Sequence, residues 1–137
     1  MPRTTFEQNV RSLVKRSEWN RIRKAVYKRA GYVCEICGGV GKRHPVEAHE
    51  VWEYDWSSME QRLVGLQALC PACHRVKHLG FSFAKGFKWP AIQQLCNVNQ
   101  WTKKEALEYI DKVFQDWELR SAYNWTVNIE YLKEAVE

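Results

Sequence analysis

Five cysteines and four histidines are the residues of this 137-residue chain whose types and spacing promise chemistry. Four of the cysteines form two pairs, Cys34-Glu-Ile-Cys37-Gly-Gly and Cys70-Pro-Ala-Cys73-His, separated by 32 residues. Two intervening residues let a backbone turn aim both sulfurs at one ion. Gly38 permits the tight turn behind the second sulfur, and two such pairs complete a tetrahedral, all-thiolate zinc shell. Such a shell has no open coordination position, so it cannot activate water and its expected role is folding. It would clamp the turn after a long helix to the start of a second one. Cys96, the fifth, reads as a buried apolar residue of the tail.

Those ligands need elements to hold them. Ser17 and Glu18, followed by Trp19, Ile22, Val26 and Ala30 at spacings of three to four, predict a capped amphipathic helix that ends at Gly31 and runs into the first cysteine pair. Phe6, Val10, Leu13 and Val14 predict a shorter helix upstream. Beyond Gly38-Gly39-Val40-Gly41, alternation over Val46 to Trp52 predicts a strand, with Ala48 and Trp52 opposite Glu47, His49 and Val51. A loop from Glu53 to Arg62 and a returning strand from Leu63 to Leu69 follow. Pro71 suits the first turn of a helix over Ala72 to His78, which Gly80 stops. In the tail, Pro90 to Val98 predicts a short helix, and Thr102-Lys103-Lys104-Glu105 matches a capping box. Ala106, Ile110, Val113, Phe114 and Trp117 then form an apolar stripe that should pack on the rest, and Trp125 to Tyr131 alternates as a strand or extended arm.

Composition excludes several classes. Hydrophobic residues at 45% and charged residues at 27% are those of a globular chain. No apolar run approaches the roughly 20 residues that span a bilayer, and the N-terminus has no secretory pattern. A cytoplasmic protein of a bacterial or phage-infected cell, with no membrane contact, is the expectation. The net charge of +5 is uneven: residues 1–45 carry eleven Lys/Arg against three Glu, while residues 46–137 carry ten against thirteen acids. The basic first third, with Arg21, Arg23, Lys24 and Lys28 on its helix, is the candidate footprint for phosphates.

The spacer between the cysteine pairs reads Pro45-Val-Glu-Ala-His49-Glu50-Val-Trp52, then Leu-Val-Gly65-Leu-Gln-Ala-Leu-Cys70-Pro-Ala-Cys73-His74-Arg-Val-Lys77-His78. Together with Trp19-Asn-Arg-Ile-Arg23 and the approach to Cys34, it resembles an HNH nuclease domain over residues 17–80. That resemblance implies an α+β fold: a ββα-metal core with a four-cysteine zinc clamp, preceded by a basic helical extension (1–16) and followed by a helical extension (81–137) packed on the core. It also implies a catalytic divalent metal (Mg2+, Mn2+, Ni2+ or Zn2+) held by His49, His74 and His78, with Glu50 as the base. A second alignment makes His49 the base and leaves Ala48 in the ligand slot.

This chain departs from the family where the usual pair is His49-Glu50 and where the usual Asn is Gly65. A regular strand would also send His49 and Glu50 to opposite faces, so their cooperation requires a twist or bulge there. The activity implied is hydrolysis of DNA phosphodiester bonds, double-stranded and with little sequence reading, with Arg75 and Lys77 on flanking phosphates. The alternative is a zinc-stabilised nucleic-acid-binding or adaptor module without catalysis; a third reading is a protein-binding zinc domain that uses the tail's stripe. Glu47 shares the face of His49 and could orient its ring, and His44 has no assigned role.

Overall fold

A β-hairpin organises the chain. In the computed structural model, which describes residues 1–135, strand β1 (Glu47–Asp55) pairs antiparallel with β2 (Glu60–Leu69), and β3 (Thr126–Asn128) joins β2 in parallel at Glu60–Arg62. The last two residues of the expected 81–137 extension lie outside the described residues.

Both long strands extend into the segment expected to be a loop, leaving only residues 56–59 to turn. The Asp55 carboxylate closes that turn by accepting from the Ser57 amide (3.0 Å) and hydroxyl (2.7 Å), and Met59 takes a positive φ of 55°. The outer strand residues were misread as loop because they are polar and ion-paired: Arg62 meets Glu60 at 2.6 Å.

Val51 pairs with Gly65 and Trp52 with Leu63, so Val64 is an extra residue bulged out of β2. The bulge has a packing purpose. Leu63 and Leu66, three apart, would face opposite sides of a regular strand, yet both are buried while Val64 is exposed. Against them lie Ile22 and Val26 of α2 (Arg16–Arg29) and Val10 of α1 (Val10–Leu13), forming the first core cluster together with three of the paired cysteines.

Helix α2 begins one residue before the expected cap, with Lys15 rather than Ser17 at the N-cap. Its end is as expected. Gly31 adopts φ +65°, the Gly31 amide donates to the Lys28 carbonyl, and the Tyr32 amide reaches back to the Tyr27 carbonyl, which is a Schellman termination. That stop delivers the chain to Cys34.

Helix α3 (Pro71–Lys77) starts at Pro71 but does not end at Gly80. It breaks at His78 (φ −119°, ψ 57°), and α4 (Leu79–Ala84) continues immediately. Gly80 keeps ordinary helical geometry inside α4, while the Arg75 carbonyl accepts both from the His78 amide (3.2 Å) and from the fully buried Ser82 hydroxyl (2.8 Å), which braces the break.

Helices α5 (Lys88–Asn99) and α6 (Lys103–Ser121) complete a second cluster around Leu79, Ala91, Ile92, Leu95, Ala106 and Ile110. The capping box at Thr102 and Glu105 forms as expected, and Ala106, Ile110, Val113 and Phe114 of the α6 stripe are spent on this core, while Trp117 donates to the Met1 carbonyl and lies under Arg3. Cys96 packs half-buried at its edge. A short α7 (Leu132–Ala135) closes the described chain. The first residues are tied in as well: Arg3 pairs with Glu118 at 2.7 Å, and Thr5 donates to the buried Gln61 carbonyl at 2.6 Å. Among the described residues no helix is long and apolar enough to cross a membrane.

Candidate metal centres

Cys34, Cys37, Cys70 and Cys73 converge, their sulfurs all within 4.8 Å of one another. Cys37 Sγ and Cys70 Sγ are 3.6 Å apart, too far for a disulfide and close to the edge of about 3.8 Å for a tetrahedron with metal–sulfur bonds of about 2.3 Å. The loop is shaped for sulfur. The Ile36 and Cys37 amides point at Cys34 Sγ (3.4 and 3.5 Å), and the Gly39 amide at Cys37 Sγ (3.4 Å). From α5, the Gln94 side-chain amide donates to Cys73 Sγ at 3.3 Å.

Burial opposes thiolate formation at Cys34, but the converging amides outweigh it and bring its pKa down to about 7. Burial wins at Cys70 and Cys73, whose thiols are pushed up. Four clustered cysteines with amide donors suit a metal ion and are compatible with structural zinc.

The second cluster lies at the other end of α3. His49 from β1, His74 from α3 and His78 at the break each offer a ring nitrogen, and these atoms too fall within 4.8 Å of one another. The Nε2 atoms of His74 and His78 are 3.0 Å apart, near the edge of about 3.4 Å for two nitrogens on one ion at about 2.05 Å. The His49 ring centroid lies 5.3 Å from that of His74 and 5.2 Å from that of His78.

Glu47 Oε1 stands 3.5 Å from His74 Nδ1, the position from which a carboxylate fixes a ligand's tautomer and leaves Nε2 to the metal. Its other oxygen is 3.6 Å from His44 Nε2. Burial, then the neighbouring His78 and His74, hold His49 down to about 3; burial, then His74, hold His78 down to about 4. Three imidazoles form a donor set for zinc, nickel or cobalt rather than for magnesium.

Glu50 does not join them. The ladder is regular from Glu47 to Val51 and the bulge falls one residue later, so Glu50 projects from the face opposite His49. Its oxygens accept from the Val10 amide (2.7 Å) and the Trp52 indole (3.2 Å), and burial pushes its carboxyl above the ordinary range despite those donors. The expected pairing of Glu50 as base with His49 as ligand therefore lacks its geometry. Glu47, two residues before His49, is the carboxylate on the histidine face, and it meets His74 rather than His49.

The expected phosphate contacts divide. Arg75 stacks its guanidinium over Phe87 at 4.4 Å, while Lys77 is exposed. Of the α2 cations, Arg23 lines a groove of about 870 Å³ that reaches Glu47 and His74. Arg21, Lys24 and Lys28 do not line it. Arg11 and Arg16 do, and helical spacing could have found Arg16: residues 16, 19, 20, 23 and 27 share one face of α2, while 21, 24 and 28 lie about 100° around the helix. At the hairpin tip, Trp56 packs edge-on against Trp125 and Tyr123. No protein-family model matches this chain, and neither a curated protein nor a solved structure does.

Proposed function

We propose that the chain is a metal-dependent endonuclease of HNH type that hydrolyses DNA phosphodiester bonds with little reading of sequence. The observation that carries this reading is the convergence of His49, His74 and His78 beside a cationic groove, apart from the closed four-sulfur cluster. A divalent ion bound there with an open position would polarise a phosphoryl oxygen and activate water.

The chain's own residues supply the rest. The three imidazoles hold the ion, and Glu47 fixes the His74 ring. Arginines along the groove hold the phosphates. His49 serves as a ligand, because taking it as the base leaves the methyl of Ala48 where a donor is needed. Glu50 is taken up by Val10 and Trp52 and acts as a strut of the hairpin. The four thiolates hold a structural zinc, and the hairpin with α3 corresponds to the ββα-metal core of the family.

That same turn of Glu50 away from the histidines favours a second reading, a zinc-stabilised nucleic-acid-binding or adaptor module without catalysis. Plasmid nicking with added Mg2+, Mn2+, Ni2+ or Zn2+ separates the two. Cleavage by the wild-type chain and by Glu50→Gln, lost in His49→Ala and His78→Ala, is the expected result. Cleavage that survives His49→Ala would remove the proposed site, and DNA binding without cleavage under every metal would favour the second reading.

A further inference from the structure

The groove beside the histidines has a composition that a duplex backbone does not require. Its cationic residues are Arg11, Arg16 and Arg23, and its wall carries the rings of Trp19 and Tyr27. Among the described residues neither Arg11 nor Arg16 has an ion-pair or hydrogen-bond partner through its side chain, and Arg23 keeps only Asn20, at 3.0 Å. The groove's one carboxylate, Glu47, stands between His44 and His74. The positive charge is therefore uncompensated along one side of the groove.

Trp19 is half-buried, and its indole N–H has no partner within the described chain. It adjoins the first core cluster while also lining the groove, so packing holds the ring in place. At about 870 Å³ the groove has the scale of a site for a small organic ligand, roughly 300–1,000 Å³. A duplex resting on it would meet the rim and leave the aromatic wall unused. A single strand would use both parts, with phosphates on the arginines and a base against Trp19, the combination by which proteins hold unpaired nucleic acid.

We infer that this groove is a subsite for an unpaired stretch of nucleic acid, which it feeds past His74 to the three histidines. Arg11, Arg16 and Arg23 take consecutive phosphates, and Trp19 stacks one base. The inference rests on the nuclease reading for the fate of the strand, but not for its binding. It sharpens the substrate from DNA in general to single-stranded DNA or the unpaired part of a frayed, nicked or looped duplex.

The test is fluorescence anisotropy with a labelled mixed-sequence 12-mer, alone and annealed to its complement, using zinc-loaded protein and no further metal. The single strand should bind at least about tenfold more tightly than the duplex. Trp19→Leu should weaken single-strand binding by roughly five- to hundredfold, the range for loss of one stacked base. Arg11→Glu and Arg16→Glu should each weaken it by about tenfold and flatten its dependence on salt. Trp19→Phe keeps a stacking ring and should lose less than Trp19→Leu, and circular dichroism with zinc content establishes that each variant is folded.

Equal or tighter binding of the duplex would overturn the inference. So would unchanged single-strand affinity in folded Trp19→Leu. A groove that prefers single strands in a chain that cleaves nothing would remove the nuclease reading and leave this one standing; a chain that cleaves but prefers duplex would do the reverse.

Discussion

The two ends of α3 carry two clusters built on opposite plans. At its N-terminus Cys70 and Cys73 meet Cys34 and Cys37, with three of the four sulfurs buried and backbone amides aimed at two of them. At its C-terminus His74 and His78 meet His49, with His78 exposed and a large groove alongside His74. Four donors of one kind close a shell; three donors beside a groove leave a position for something else. The seven residues of α3 join the two, so whatever orders the sulfurs also sets the direction in which His74 points.

If the contrast is right, breaking the closed cluster should cost the whole molecule. Cys34→Ser is expected to lose about one tightly held zinc and to unfold cooperatively at temperatures where the wild type is folded, because zinc binding at such sites is folding free energy. Metal analysis with far-ultraviolet circular dichroism checks this, and a folded, zinc-free variant would contradict it. Gly41→Ala comes next. A Cβ there would lie 2.3 Å from the His44 carbonyl oxygen and 2.7 Å from Pro71 Cδ, wedging the loop away from the start of α3. A loss of about 2–3 kcal/mol in denaturant unfolding is expected.

The open cluster predicts a pH effect. His49 and His78 are depressed in the folded chain, to about 3 and about 4, while their unfolded values stay near the ordinary 6.5. The unfolded chain therefore takes up protons below about pH 6.5 that the folded chain refuses, and stability falls as the pH drops from there towards about 3. Melting curves of the zinc-loaded chain without added metal should show a shallower decline for His49→Ala than for the wild type. The smallest expected effect is at the break. Ser82→Ala leaves the Arg75 carbonyl without its hydroxyl donor and should cost about 1 kcal/mol, with weaker retention of a metal at the histidines and no change in the cysteine-bound zinc.

How legible these clusters were differed with the physics that builds them. The sulfur cluster was readable because each pair is local: two residues between thiolates and Gly38 behind them already describe the turn. The Gly31 stop was readable for the same reason, since glycine is the residue that takes the left-handed position at least cost. The histidines could be grouped only through the HNH resemblance, because His49 comes from another element and the break at His78 is held by Ser82, four residues further on and fixed by tertiary packing. Glu50 could join His49 only if the strand twisted or bulged between them, whereas the bulge sits one residue later, where Leu63 and Leu66 must both reach the core. The groove went unseen because Arg11 reaches it from a different helix than Arg16 and Arg23.

The central claim, that the molecule holds one closed structural metal and one open exchangeable one, is tested most directly by equilibrium dialysis of the zinc-loaded chain against nickel, followed by metal analysis. The wild type should retain about one zinc and take up about one nickel per chain, while His49→Ala keeps the zinc and takes up none. Equal nickel uptake by His49→Ala, or no second metal in the wild type, would contradict it.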